Sequence, residues 1–312
     1  MSRVIILMCA ATCWIVSGLH AQTKEGPPLC DGRGYRLRET AIGVPPHVTL
    51  ILNGMPGSFL LDYGATKSSL WTDYVPRPGA TVRVRTSIPG ISSAEFLLRH
   101  ADTPPNANDP VGVIGTDILS RVTMEFNSAT AYLSVKSCSS VALRGAGFIP
   151  VNQTGFFSSD PTLLNEGRPN VPVLFFGLGE VHVPAQIDTG YDDQLYPYSI
   201  DINQALFDRL HQSGFEMAMT GEINVATCDG HESRRVYAVV GPDLVIETED
   251  AKPITRTNSF YLVLKPANRC GGIASISSAA AQLGASFLKL FQTIVFDPQA
   301  RVVWIKGNPG LR

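Results

Sequence analysis

Residues 171–191 read Val171-Pro-Val-Leu-Phe-Phe-Gly-Leu-Gly-Glu-Val-His-Val-Pro-Ala-Gln-Ile-Asp188-Thr189-Gly190-Tyr191. An apolar strand and a Gly-containing turn lead into a second apolar strand that ends in Asp-Thr-Gly. Asp at the end of a buried strand, two residues before Gly, puts a carboxylate on a sharp turn. The glycine permits close backbone approach there. The same order occurs earlier: Pro46-His-Val-Thr-Leu-Ile-Leu-Asn53-Gly54-Met-Pro-Gly-Ser-Phe-Leu-Leu-Asp62-Tyr63-Gly64-Ala65. Asn53-Gly54 is a strong hairpin signal. One Asp-X-Gly triplet is an ordinary turn; two, each closing a matching pair of strands, point to an internal repeat.

A second matching pair extends the repeat. Val113-Ile-Gly115-Thr-Asp-Ile-Leu-Ser-Arg-Val-Thr-Met-Glu-Phe126 parallels Gln282-Leu-Gly284-Ala-Ser-Phe-Leu-Lys-Leu-Phe-Gln-Thr-Ile-Val-Phe296. Each holds a strand ending at Gly, a short helix-like apolar stretch and another strand. Ala131–Val135 and Arg301–Ile305 close the two copies with one further strand each. The chain is therefore expected to divide into a leader at 1–21, an N-terminal lobe at 22–145 and a C-terminal lobe at 146–312. The Gly/Ser/Asn/Pro-rich stretch from Arg144 to Asn170 reads as the linker. Asn152-Gln-Thr154 within it is a glycosylation sequon, meaningful only in a eukaryotic host.

Composition fits a β-rich globular chain. Of 312 residues, 44% are hydrophobic and 17% charged, with 28 Gly and 22 Pro. That favours a large core and many turns over long polar helices. With 25 Lys+Arg against 27 Asp+Glu the net charge is −2, which argues against nucleic acid as a partner and against a polybasic membrane patch. Arg3 followed by the uncharged, largely apolar stretch Val4 to Leu19 reads as a signal peptide, with Ala21 before the cleavage point. The stretch is shorter than the ~20 residues a spanning helix needs. No stable membrane span is expected after cleavage, and the localisation reads as exported, periplasmic or secreted. Cys9 and Cys13 leave with the leader; Cys30, Cys138, Cys228 and Cys270 remain. Four cysteines allow three pairings, and free buried thiols stand as the alternative. Pairing within each unit, Cys30–Cys138 and Cys228–Cys270, is the simplest in an oxidising compartment.

The paired triplets carry a chemistry of their own. Two carboxylates ~3 Å apart cannot both ionise, so they share one proton. The ionised partner takes a proton from water, and the protonated partner donates to the carbonyl oxygen under attack. No metal or organic cofactor is required. The histidines His47, His100, His182, His211 and His231 lack metal-ligand spacing, and no GxSxG elbow, P-loop or complete GxGxxG occurs. Asp117 reads as the N-cap of the short helix after Gly115, and Asp192 and Asp193 as a solvated turn.

On these residues the chain resembles the aspartic proteases of the pepsin/retropepsin group. Asp188-Thr189-Gly190 looks like the active-site triplet, and Val113-Ile114-Gly115 and Leu283-Gly284 like the apolar-apolar-Gly strand that follows it in each lobe. The resemblance implies an all-β, bilobal pepsin-like acid protease fold, two related β-barrel-like lobes with a peptide cleft between them. It implies Asp62 and Asp188 as the catalytic dyad, with Tyr63, Gly64, Thr189 and Gly190 forming the active-site loops. By position, the flap candidates are Pro89 and Gly90 within Ser87–Ser92, and Asp229 and Gly230 within Thr227–His231. The substrate would be a peptide or an unfolded protein. Both aspartates lie on one chain, so a monomer is expected.

Two departures bear on this reading. The first triplet has Tyr63 where the family has Thr or Ser, and in the family that hydroxyl belongs to a reciprocal lock between the two loops. A phenol lies several bonds further out, and a bulky ring there is expected to push the first loop away from the second. Ala65 and Tyr191 follow the two glycines, so no Ser or Thr sits there to hydrogen-bond the dyad. Losing such a bond raises the pair's lower pKa, which favours mildly over strongly acidic pH. Beside the endopeptidase, two other readings remain. One is a catalytically inactive pepsin-like peptide- or protein-binding protein. The other is a single-carboxylate hydrolase or unrelated β-rich exported protein in which the repeat is structural only.

Overall fold

The computed structural model describes residues 30–37, 45–100, 110–127, 130–152, 171–193, 195–227, 230–248, 252–266 and 272–307. The leader at 1–21, Cys228, Asp229 and Cys270 lie outside them. The described chain is mostly β and forms three sheets.

In chain order the first half contributes β1 (Arg33–Arg36), β2 (His47–Leu52), β3 (Met55–Leu61), β4 (Ser69–Thr72), β5 (Thr81–Arg85), β6 (Ser93–His100), β7 (Gly112–Ile114), the one-turn helix α1 (Thr116–Leu119), β8 (Thr123–Asn127) and β9 (Thr130–Ser134). Helix α2 (Ser140–Gly145) and β10 (Ile149–Asn152) follow. Two ordered elements thus occupy the start of the stretch read from sequence as linker; residues 153–170 lie outside the described set. The second half contributes β11 (Val173–Leu178), β12 (Val181–Ile187), β13 (Ser199–Ile202), α3 (Gln204–Gln212), β14 (Glu216–Thr227), β15 (Gly230–Val240), β16 (Leu244–Glu247), β17 (Pro253–Thr257), β18 (Tyr261–Leu264), β19 (Ala281–Leu283), β20 (Phe291–Asp297) and β21 (Val302–Gly307).

The repeat read from sequence is a repeat of backbone path. β2 and β3 pair antiparallel across Asn53-Gly54, both at positive φ, the geometry a two-residue hairpin turn demands. β11 and β12 pair the same way across Gly179, also at positive φ. Leu61 then lies parallel to Ile114 on β7, and Ile187 parallel to Leu283 on β19. β7 pairs antiparallel with β4, as β19 does with β13, and β4 pairs parallel with β6, as β13 does with β18. The first sheet runs β2-β3-β7-β4-β6-β5; a bridge from Leu52 to Thr86 draws its two edge strands together. The second sheet has nine strands, ordered β14-β15-β18-β13-β19-β12-β11-β16-β17.

The third sheet is built from both halves, in the order β1-β9-β8-β20-β21-β10. Its centre is the antiparallel pair β8–β20, with Phe126 opposite Ile294. One continuous apolar cluster runs through all three sheets and includes Phe59, Phe96, Ile114, Phe176, Ile187, Ile200, Phe287 and Phe296. Each such fully buried side chain contributes about 1.5–3 kcal/mol relative to an exposed one. A smaller cluster gathers Leu143, Phe148, Val295, Val302 and Trp304 around the Cys30–Cys138 disulfide. That bond is one of the two expected from sequence. It joins the entry to β1 to the exit from β9.

Candidate active site

Asp62 follows β3 and Asp188 follows β12, and the backbone holds both in the same way. Asp62 N–H donates to Ile114 O at 3.0 Å, and Asp188 N–H to Leu283 O at 2.9 Å. Three residues on, Ala65 O accepts from Thr116 N–H and Tyr191 O from Ala285 N–H, each at 2.8 Å. Gly115 and Gly284 sit where these carbonyls pass, and a Cβ on either would strike Ala65 O or Tyr191 O. The strand ending in Gly is therefore a seat for the Asp-X-Gly loop.

The two loops interlock. A Cβ on Gly64 would collide with the Asp188 carboxyl, and a Cβ on Gly190 with the Asp62 carboxyl. Each glycine makes room for the other loop's acid. The carboxyls share a hydrogen bond. Gly64 and Ala65 N–H both donate to Asp62 Oδ1, at 2.7 and 3.1 Å. Gly190 N–H donates to Asp188 Oδ1 at 3.0 Å. Burial pushes both carboxyls above the usual carboxylate range. Asp188 is held well up, by burial first and then by the charge of Asp62, with Lys265 acting in the opposite sense. The pair thus retains a proton after exposed carboxyls have lost theirs.

Thr189 makes one half of a lock between the loops. Its Oγ1 donates to Leu61 O at 2.6 Å and accepts from Tyr63 N–H at 3.0 Å. The other half is replaced by packing. Tyr63 is fully buried, and its ring lies 4.3 Å from that of Phe296 on β20, tilted by 31°. The side chain points away from the dyad into the core above the third sheet. Tyr63 therefore leaves the two loops together, whereas the sequence reading had a bulky ring separating them.

Around this centre a carboxylate and a serine occur on each side with positions exchanged. Asp117 Oδ1 accepts from Ser68 N–H at 2.9 Å and Ser68 Oγ at 2.7 Å, while Gly115 N–H donates to Ser68 Oγ at 2.9 Å. Asp117 is thus a brace for the loop after Asp62; the N-cap of α1 is Gly115, without a side-chain bond. In the second half the acid is on the loop: Asp192 Oδ2 accepts from Ser286 N–H, and Ser286 Oγ accepts from Tyr198 N–H at 3.1 Å. Burial pushes Asp192 up to about 7, so it is no solvated turn residue. Asp193 does cap a local turn, accepting from Leu195 and Tyr196 N–H.

Two residues that sequence reading passed over form a chain of hydrogen bonds to the dyad. Gln282 Nε2 donates to Asp188 Oδ2 at 2.6 Å, and Gln186 Nε2 donates to Gln282 Oε1 at 2.6 Å. Both are buried, facing each other across the parallel β12–β19 pair. The available signal was polarity: glutamine stands at these two strand positions where the first copy has Leu60 and Val113.

The flap candidates fare differently. The turn bearing Pro89 and Gly90 is bonded to β2 through Ile51 and Ser87, and Tyr35 Oη donates to Ser87 O at 3.2 Å. Gly90, at positive φ, packs against Val135. None of this turn's hydrogen bonds reaches the Asp62 or Asp188 loop, because the bridge from Leu52 to Thr86 anchors it to the hairpin end of β2. Gly230 opens β15 opposite Thr227; Asp229 lies outside the described residues. Among the described residues no group of three or more His, Cys, Asp or Glu is arranged to hold a metal ion, and no helix is long and apolar enough to cross a membrane.

No family model matches this chain, and no curated protein sequence does. Among solved structures it is similar to conglutin gamma, a basic 7S globulin from lupine seeds, at 12% identity and a TM-score of 0.49 over 88% of this chain and 94% of that one.

Proposed function

We propose that this chain is an exported aspartic endopeptidase of the pepsin/retropepsin-like group, with one lobe contributed by residues 22–145 and the other by 146–312. The observation that carries the reading is the pair of hydrogen-bonded carboxyls, Asp62 and Asp188, at the ends of two strands with the same backbone path, each seated against the other loop's glycine. Asp62, whose Oδ1 accepts from two backbone N–H groups, is the base that takes a proton from the attacking water. Asp188 donates its proton to the carbonyl oxygen as the tetrahedral intermediate forms. The intermediate collapses as the C–N bond breaks: Asp62 passes the proton it took from water to the departing amine, and Asp188 recovers its proton from the hydroxyl as the carbonyl re-forms. The neighbouring backbone N–H groups keep one carboxyl ionised while burial keeps the other protonated. The Cys30–Cys138 disulfide supports export, since such bonds persist in oxidising compartments.

The test is cleavage of an unfolded protein by Gln22–Arg312 from pH 3 to 8, beside Asp62→Asn and Asp188→Asn. Cleavage in the parent, with a maximum at mildly acidic pH and loss of at least a thousandfold in both variants, is the expected result. A folded protein that cleaves nothing at any pH would replace this reading with a peptide-binding role for the same cleft. Cleavage surviving both substitutions would put the chemistry elsewhere.

A further inference from the structure

We infer that Gln282, clamped by Gln186, is a positioning residue for Asp188: it holds a fixed donor on Oδ2 and so favours the ionised form of that carboxyl. This rests on the dyad proposed above. The two halves differ at just this point. Asp62 Oδ1 accepts from two successive backbone N–H groups, those of Gly64 and Ala65. In the second loop only Gly190 N–H reaches the carboxylate; the next one, Tyr191 N–H, is directed at Asp188 O at 3.5 Å. No Ser or Thr stands at position 65 or 191 to complete the set. Gln282 supplies the missing donor from the neighbouring strand.

The direction of the chain of bonds matters. Gln186 gives its N–H to the carbonyl of Gln282, which fixes that amide with its own N–H toward Asp188. The first half has Leu60 and Val113 in the same register, so it cannot build such a relay. A donor committed to Oδ2, beside the Gly190 N–H on Oδ1, stabilises the ionised form of Asp188.

Other charges face this carboxyl. Asp62 comes from the loop after β3 and Lys265 from the end of β18. Asp201 on β13 lies opposite Gln282 in register, and Arg234 on β15 is bound to both Asp201 and Glu232. Tyr191 and Asp192 are on Asp188's own loop. Substituting Gln282 leaves all of these in place.

The experiment follows the aspartate carboxyl carbons by NMR as a function of pH in isotope-labelled protein, with Asp62→Asn and Asp188→Asn to assign the pair. Its readout does not depend on cleavage, so absence of peptidase activity and failure of this inference give separate results. In Gln282→Val the upper pKa of the pair is expected to rise by about one pH unit, with the lower one moving less. Gln186→Leu, which frees the amide to rotate, should give a smaller rise. Should Gln282→Val fail to fold, the double variant Gln186→Leu/Gln282→Val installs the apolar pair already tolerated in the first sheet and is read in its place. A downward shift would show that the substitution only admits water, or that Gln282 was accepting from a protonated Asp188. Either that or an unchanged titration would overturn the inference.

Discussion

Thr189 concentrates more of the site's geometry in one atom than any other side chain described. Its hydroxyl satisfies a carbonyl and an N–H belonging to the opposite loop, both out of reach of water. Thr189→Val keeps the shape and strands both partners. Each unsatisfied buried group costs about 1–3 kcal/mol, so urea denaturation should show a loss of about 2–5 kcal/mol. Tyr63 gives the opposite case. Tyr63→Thr would offer the second hydroxyl of the lock but empty the space against Phe296. Removing a buried ring costs about 3–5 kcal/mol, more than one hydrogen bond returns, so the variant should be less stable by about 2–4 kcal/mol. At this scale the sequence was legible where chemistry forces a residue type: Asp62, Asp188 and the two glycines. It was not legible where a side chain's direction decides its role. Tyr63 reads as an obstruction until its ring is seen turned into the core. Gln282 reads as a stray polar residue until Asp188 is found at the end of its amide.

Among the elements, β13 carries the least expected residue. All four of its positions are buried, and one of them is Asp201. Arg234 reaches it from β15 at 2.7 Å and binds Glu232 at 2.8 Å with its other face. Among the described residues Asp201 Oδ1 has no hydrogen-bond partner, so the ionised form is incompletely compensated and burial pushes it up to about 6 despite the guanidinium. Removing one member is worse than removing both. Arg234→Met, leaving a buried acid alone, should cost about 3–5 kcal/mol. Adding Asp201→Leu should recover most of that loss, and the double-mutant cycle measures the coupling. The hairpins flanking each Asp were legible because Asn53-Gly54 and Gly179 fix their turns. β10 and β13 were not, since Pro and Gly near one and Asp inside the other resemble loop composition. Pairing with β21 and β19 overrides that local signal.

For the whole molecule, the acids raised by burial set how stability follows pH. The folded chain keeps protons on Asp188, on Asp192 near 7 and on Asp201 near 6, whereas the same residues in the unfolded chain titrate near 4. Their contribution is complete below about pH 4 and is lost as pH rises through the folded values. The melting temperature should therefore fall from pH 5 to pH 8, and Asp192→Asn should flatten part of that fall. The disulfide acts on the other side of the equilibrium. It closes a loop between residues 108 apart, and constraint of the unfolded chain predicts up to about 4–5 kcal/mol. Cys138→Ser should lower the urea midpoint accordingly. The doubled architecture was legible from the order of motifs alone. The third sheet was not, because its pairings join strands from opposite ends of the sequence and leave no local pattern.

That third sheet sets a timetable. Thr123 on β8 and Asp297 on β20 are hydrogen-bonded partners 174 residues apart. At about 5–20 residues per second, a ribosome finishes β20 roughly ten to thirty seconds after β8. β21 inserts between β20 and β10, so the third sheet is unfinished until Val302–Gly307 has been made. A nascent chain held open for that long is a good passenger for a translocation channel that accepts only unfolded polypeptide.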